Sequence, residues 1–219
     1  QLTPVTQYWF AVRVKDEVHG WVEMSNLVDV VTDELPPVTL TGNYFPLDPG
    51  RVWRYRHNGG SEATWTSSNL RLDGSQGAYY IFRNSSEGLV LTTYGWAPDR
   101  YWGYYSTGLL LLKHEMRLGD TWEFSSLVGV CARGCHQQGL VQGTMTVLRL
   151  ETISVPAGTF ETVVLQEDTN YYGQRRYWYA EGVGLVKGED GFLHFLELLE
   201  YSQPAEEGGG APSDAPPKN

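Results

Sequence analysis

From residue 151 to 187 the chain reads ETISVPAGTFETVVLQEDTN and then YYGQRRYWYAEGVGLVK, a stretch compatible with few folds. Apolar and polar side chains alternate along residues 144–155 and again along 160–169, the two-residue period of strands with one buried face. Between them stands Pro156-Ala157-Gly158, where proline presets φ and glycine accepts a positive φ. Phe160 then re-enters the core side. A third arm, 171–180, leads to a Gly-Val-Gly step and residues 184–187. Three arms and two tight turns describe an antiparallel meander.

The same grammar extends along residues 44–201. Asn58-Gly59-Gly60 is a hairpin signal, and Asp73-Gly74 and Leu118-Gly119-Asp120 mark further turns. Trp53 and Tyr55 share one strand face, with Arg54 and Arg56 on the other. Residues 109–114, with four consecutive leucines, read as a buried strand, and 129–139 as a loop bearing glycines and cysteines. Residues 192–201 read as a closing strand, although Leu and Glu also suit a helix. No helical period is sustained, so the fold class is all-β: an antiparallel meander forming a curved sheet, a half-barrel or a sandwich.

The 219 residues suffice for one substantial core. Residues 1–32 read as a small hairpin, 33–43 as a linker around Asp33-Glu34-Leu35-Pro36-Pro37, 44–201 as the main domain, and 202–219 as a Pro/Gly-rich acidic tail. The formal charge of −10 argues against nucleic acid as a partner, because phosphate binding needs a basic face. No run approaches the roughly 20 apolar residues of a spanning helix, so a membrane-spanning protein is not expected. Gln1 opens directly into strand-like sequence, as expected of a mature chain or a piece of a longer one.

Two resemblances add to this. The string YWFAVRVKDEVHGWVEMSNLV resembles the closing half of a bacterial SH3-like domain, on Trp9, Val12, Arg13, Asp16, Gly20, Trp21, Val22 and Leu27. The motifs YFPLDPGRVWRY, LGDTWEF, VPAGTFETVVL and YWYAEGVGLVK together resemble a family of secreted bacterial β domains of envelope proteins and lipoproteins, mostly of unassigned function. The resemblance covers most of 44–201 and implies an extracellular or cell-envelope location. Some relatives of that architecture are similar to the half-barrels of outer-membrane lipoprotein carriers, which cup a lipid tail. The resemblance supplies no catalytic residues.

Two local features are candidate sites. Cys131 and Cys135, followed by His136, are expected to close a short disulfide, which removes little entropy from the unfolded chain. The alternatives are free thiols, a haem attachment whose usual spacing has two intervening residues rather than three, or a metal site on Cys131, Cys135 and His136 completed by His114 or His194. The dense aromatic run places Trp96, Tyr101, Trp102, Tyr104 and Tyr105 on a candidate binding surface, because such rings stack on sugars and anchor protein interfaces. A half-buried aromatic hairpin explains them slightly better. Glu167-Asp168 and Glu189-Asp190 are sequence neighbours whose side chains point to opposite strand faces, so neither pair is a ready acid/base dyad. The histidines at 19, 57, 114, 136 and 194 show no triad or metalloprotease spacing.

The sequence therefore leads to a non-catalytic structural or accessory subunit of the cell envelope or extracellular space. It uses no cofactor and docks other protein subunits through its aromatic loops, N-terminal hairpin and tail. Its rivals are a cell-wall glycan binder, a lipid-carrier-like half-barrel with an apolar cavity, and a c-type haem protein.

Overall fold

The computed structural model describes residues 7–10, 15–16, 20–21, 28–31, 39–96, 101–132, 134–171, 173–190 and 195–204. The chain forms two compact units, Gln1–Val38 and Thr39–Asn219. In the first, β1 (Gln7–Phe10) pairs antiparallel with β4 (Val28–Val31), and β2 (Lys15–Asp16) pairs with β3 (Gly20–Trp21). The β2–β3 pairing surrounds the acidic turn of the SH3-like string. The string's other motif positions, apart from Trp9, Asp16, Gly20 and Trp21, lie outside the described residues, as does the tail beyond residue 204.

The second unit runs through β5 (Thr39–Leu40), β6 (Val52–His57), β7 (Glu62–Ser67), β8 (Arg71–Gly74), β9 (Ala78–Asn84), β10 (Gly88–Trp96) and β11 (Tyr101–Lys113). It continues through β12 (Met116–Arg117), β13 (Thr121–Cys131), β14 (Cys135–Val155), β15 (Gly158–Thr169), β16 (Gly173–Ala180), β17 (Gly184–Asp190) and β18 (Phe195–Ser202). Twelve of these strands form one closed antiparallel barrel, in which β6 to β11 and β13 to β18 each pair with the next and β18 returns to β6. The expected all-β meander is what the chain builds. Its sheet closes completely, where a half-barrel or sandwich would leave edges, because β18 pairs with the free side of β6 from Leu196↔His57 to Ser202↔Val52.

Two local expectations change. Residues 129–139 are not an open loop: β13 and β14 stay paired up to Cys131↔Cys135. Residues 109–113 are not a separate strand but the end of β11, which passes through Gly108 at φ 80°.

The two faces of the barrel differ in chemistry. Inward positions carry Trp53, Tyr55, Phe82, Met145, Val147, Val163, Leu165 and Leu198, all buried. Outward positions carry ion pairs: Arg54 reaches Glu62 at 3.1 Å and Glu200 at 3.0 Å, and Arg56 meets Glu197. Exposed pairs of this kind add little stability. Their placement shows which way the period points, with the charged face toward water.

One end of the barrel is filled. β5 pairs with β12 across that end, and Leu40, Leu47 and Met116 are buried there with the core. The 43–51 segment is tied to the end turns by Gly182 N–H to Asn43 O at 2.8 Å, Arg51 Nη1 to Gly182 O at 2.9 Å, and Gly50 N–H to Ser67 O at 2.9 Å. From this plug Phe45 projects edge-on to Phe82 and Tyr179, with ring centroids 5.6 and 5.8 Å apart. At the opposite rim lie the strand ends at His57, Gly74, Trp96, Cys131, Thr169 and Asp190.

Candidate ligand-binding cavity

Between the Phe45 plug and the opposite rim the barrel is hollow. A cavity of about 560 Å³ opens within it, inside the range of roughly 300–1,000 Å³ that suits small organic ligands. The period-2 alternation explains its lining. On β6 it is Trp53, Tyr55 and His57; on β9, Tyr80 and Phe82; on β11, Tyr105, Leu109 and Leu111; on β16, Arg175, Tyr177 and Tyr179. These are the same-face residues of each strand, and large rings dominate them.

Polar groups gather toward the open rim. Glu167 continues the inward row of Val163 and Leu165 on β15 and is only 7% exposed. Tyr177 donates its hydroxyl to Glu167 Oε2 at 2.6 Å. In the strand register Glu167 lies opposite Arg175, and Arg175 lies opposite Asp190. All three line the cavity, one step nearer the rim than the row of Tyr177, Gly188, Leu196 and His57. Glu189, beside them, is held by Lys187 Nζ at 2.6 Å.

The deeper tyrosines are tied to the barrel wall. Tyr55 donates to Leu185 O at 2.7 Å. Burial pushes its phenol well above the usual tyrosine range, and the same holds for Tyr179 and Tyr177, both raised first by burial and then by the nearby Glu167. These hydroxyls are donors that stay protonated at ordinary pH.

Of the candidate residues read from sequence, Tyr105 lines the cavity and the others fall elsewhere. Cys131 and Cys135 form a disulfide, at the rim end of the β13–β14 hairpin. With both sulfurs bonded to each other, neither is a thiolate for zinc or a thioether for haem, which overturns those alternatives for this pair. His114 Nε2–H donates to Ser85 O at 3.0 Å, at the far end of the barrel, and His194 lies outside the described residues. Among the described residues no cluster of three or more His, Cys, Asp or Glu is placed to hold a metal.

The aromatic run is split between the two faces of the sheet. Tyr105 is buried, and Tyr101 packs with it around Tyr94, with centroids 5.6 Å from Tyr94 to Tyr105 and 6.3 Å from Tyr94 to Tyr101. Trp96, 48% exposed, lies opposite Tyr101 in register and shares its inner face at the rim. Trp102, 38% exposed, and Tyr104 occupy the outer face with centroids 5.7 Å apart. The two exposed indoles therefore do not form one platform. The density of rings has a local cause: Tyr79, Tyr94 and Tyr104 lie across Gly95, Gly103 and Gly129 on neighbouring strands, where any Cβ would collide with the ring.

No family model matches the chain. No curated protein matches it either. Among solved structures it is similar to a protein described as a candidate lipoprotein from Parabacteroides distasonis, with 13% identity over 74% of this chain and 99% of that one and a TM-score of 0.37. It is similar to the hypothetical lipoprotein YmcC of Escherichia coli, with 13% identity over 72% of this chain and 86% of that one and a TM-score of 0.41. A candidate exported protein with a YmcC-like fold from Bacteroides fragilis shares 11% identity over 74% of this chain and all of that one, with a TM-score of 0.33. Likeness at this level carries nothing about the cavity, whose reading rests on its own geometry.

The sequence signal for the site was present in ETVVLQEDT. Glu167 is an acid on the apolar parity of an otherwise buried strand. Its neighbour Asp168, on the other parity, is exposed, so the expectation that the pair diverges holds. What the pattern does not show is that the apolar parity faces a hollow.

Proposed function

We propose that this barrel is a non-catalytic binding protein of the extracellular space or cell envelope that takes a small molecule with an apolar body into its interior. The carrying observation is the aromatic-lined cavity of about 560 Å³, filled at one end and open toward the rim that bears Glu167, Arg175 and Asp190. A core built for stability alone closes such space, since interiors pack densely and cavities cost stability. The disulfide supports the compartment, because such bonds persist under oxidising conditions.

A neutral naphthyl probe, N-phenyl-1-naphthylamine, is expected to bind one-to-one with enhanced fluorescence and to quench the emission of Trp53 and Trp65. Leu111→Trp, which places an indole in the cavity, is expected to weaken the probe about tenfold or more, equivalent to about 1.4 kcal/mol. The melting temperature should not fall, because the added ring fills space rather than displacing packed neighbours. No fluorescence rise with the wild-type protein rejects this function.

A second reading is supported by the outer face. Leu127 and Leu140 pair directly across β13 and β14, and both are exposed, as is Trp102 toward the same rim. Apolar side chains grouped on a surface suit contact with another protein subunit. Sedimentation should then show concentration-dependent association that Leu127→Asp abolishes. A monomer at all concentrations, together with no partner retained from the native source, removes this reading.

A further inference from the structure

We propose that the ligand is an organic cation, a single ammonium group carried on an apolar body. This rests on the binding function above and specifies its chemistry. The cavity is amphipathic along its axis. Its deep part is Phe45, Trp53, Phe82, Leu109 and Tyr179, with no charged side chain at that level. Its mouth holds the row Glu167–Arg175–Asp190, two carboxylates flanking one guanidinium.

That row decides the sign of the head group. A ligand carboxylate or phosphate reaching Arg175 would meet carboxylates on both sides, and like charges placed together at an interface cost several kcal/mol. An ammonium group is repelled by the guanidinium but attracted by both carboxylates, and with two negative charges to one positive the balance of the row favours a cation. Glu167 is held by the Tyr177 hydroxyl at Oε2, which fixes the carboxylate's orientation, and a carboxylate has acceptor positions beyond that one bond. The ring faces around the mouth, including Tyr80 and Tyr177, add the attraction of an aromatic surface for a cation. His57 and the Lys187-paired Glu189 complete the charged and titratable lining. The row lies within two residues of the strand ends at Thr169, Gly173 and Asp190, so the head stops near the rim. The apolar body then fills the ring-lined interior.

The test compares three probes of equal chain length by titration calorimetry: decyltrimethylammonium, 1-decanol and decanoate. The expected order is ammonium tightest, decanol about tenfold weaker, and decanoate weaker again by about tenfold. Glu167→Gln keeps an acceptor for Tyr177 and removes the charge. It should bring the ammonium to within about threefold of decanol, with near-ultraviolet circular dichroism confirming the fold. Asp190→Asn, nearer the rim, serves if Glu167→Gln does not fold, with the same expected loss of preference. Decanol binding without an ammonium preference, or with decanoate equal to the ammonium, overturns the charge assignment and leaves the binding function standing. Failure of all three probes overturns both.

Discussion

Replacing Trp53 with alanine is expected to cost about 3–5 kcal/mol of folding stability, the range for a large buried aromatic, against a usual total of about 5–15 kcal/mol. Trp53 is 3% exposed and sits where three features of the fold meet. Its position on β6 places it in register with Trp65 on β7 and Tyr201 on β18, so it lies beside the seam that closes the barrel. Its Nε1–H donates to Val183 O at 2.7 Å, tying that seam to the turn between β16 and β17. Its ring packs against the plug and against Gly184, whose φ of 105° is a backbone conformation that residues with side chains rarely adopt. Alanine removes the ring and leaves a buried carbonyl without its donor. Trp53→Phe separates the two effects, since it keeps most of the volume and loses the hydrogen bond, at about 1–3 kcal/mol. Urea denaturation should show midpoints ordered wild type, Phe, Ala at constant slope. An alanine variant within 1 kcal/mol of wild type would contradict this placement of Trp53.

Alkaline pH should unfold the barrel cooperatively. Tyr55, Tyr177 and Tyr179 are held in the interior as neutral phenols, with burial raising each above the usual value of 10.0. In the unfolded chain these groups lose their protons near that usual value, so above it the unfolded state binds fewer protons than the folded state. Stability is then fully present below pH 10 and falls as the pH climbs toward the raised folded-state values. Each group contributes a slope of about 1.4 kcal/mol per pH unit, and the three together about 4 kcal/mol per unit. Tyrosinate absorbance followed alongside circular dichroism should show these tyrosines ionising in one step with loss of the fold. Smooth ionisation of every tyrosine near pH 10, with the circular dichroism unchanged, would show that the interior admits hydroxide and is not the sheltered cavity described.

Much of the fold was legible in local chemistry. The turns at Asn58-Gly59-Gly60 and Pro156-Ala157-Gly158 sit where Gly and Pro placed them. The parity of Trp53 and Tyr55 against Arg54 and Arg56 is the parity of the barrel wall, and residues 195–202 form a strand despite their helix-favouring Leu and Glu. Gly129, Gly134 and Gly139 are usual loop markers, yet β13 and β14 pair through Gly129 and Gly139. Here Gly129 lies under the ring of Tyr104, so it is a packing site inside a strand. Density of aromatic residues at 93–105 was likewise ambiguous, since one-dimensional spacing does not say which rings a neighbouring glycine will accept.

Alternation, turn residues and charge by themselves determined that this chain is an antiparallel all-β meander with one apolar and one charged face, because those are properties of a strand and its nearest neighbours. They also made the Cys131–Cys135 bond accessible, since its partners are a few residues apart. Closure of the sheet required the pairing of β18 with β6, two strands more than a hundred residues apart in sequence, and no local pattern encodes that contact. The cavity follows from closure: the same inward residues would pack solid in a sandwich but surround a hollow in a twelve-stranded barrel. Glu167, Arg175 and Asp190 become one charged row only there, because cross-strand register, and not sequence distance, sets which side chains face one another.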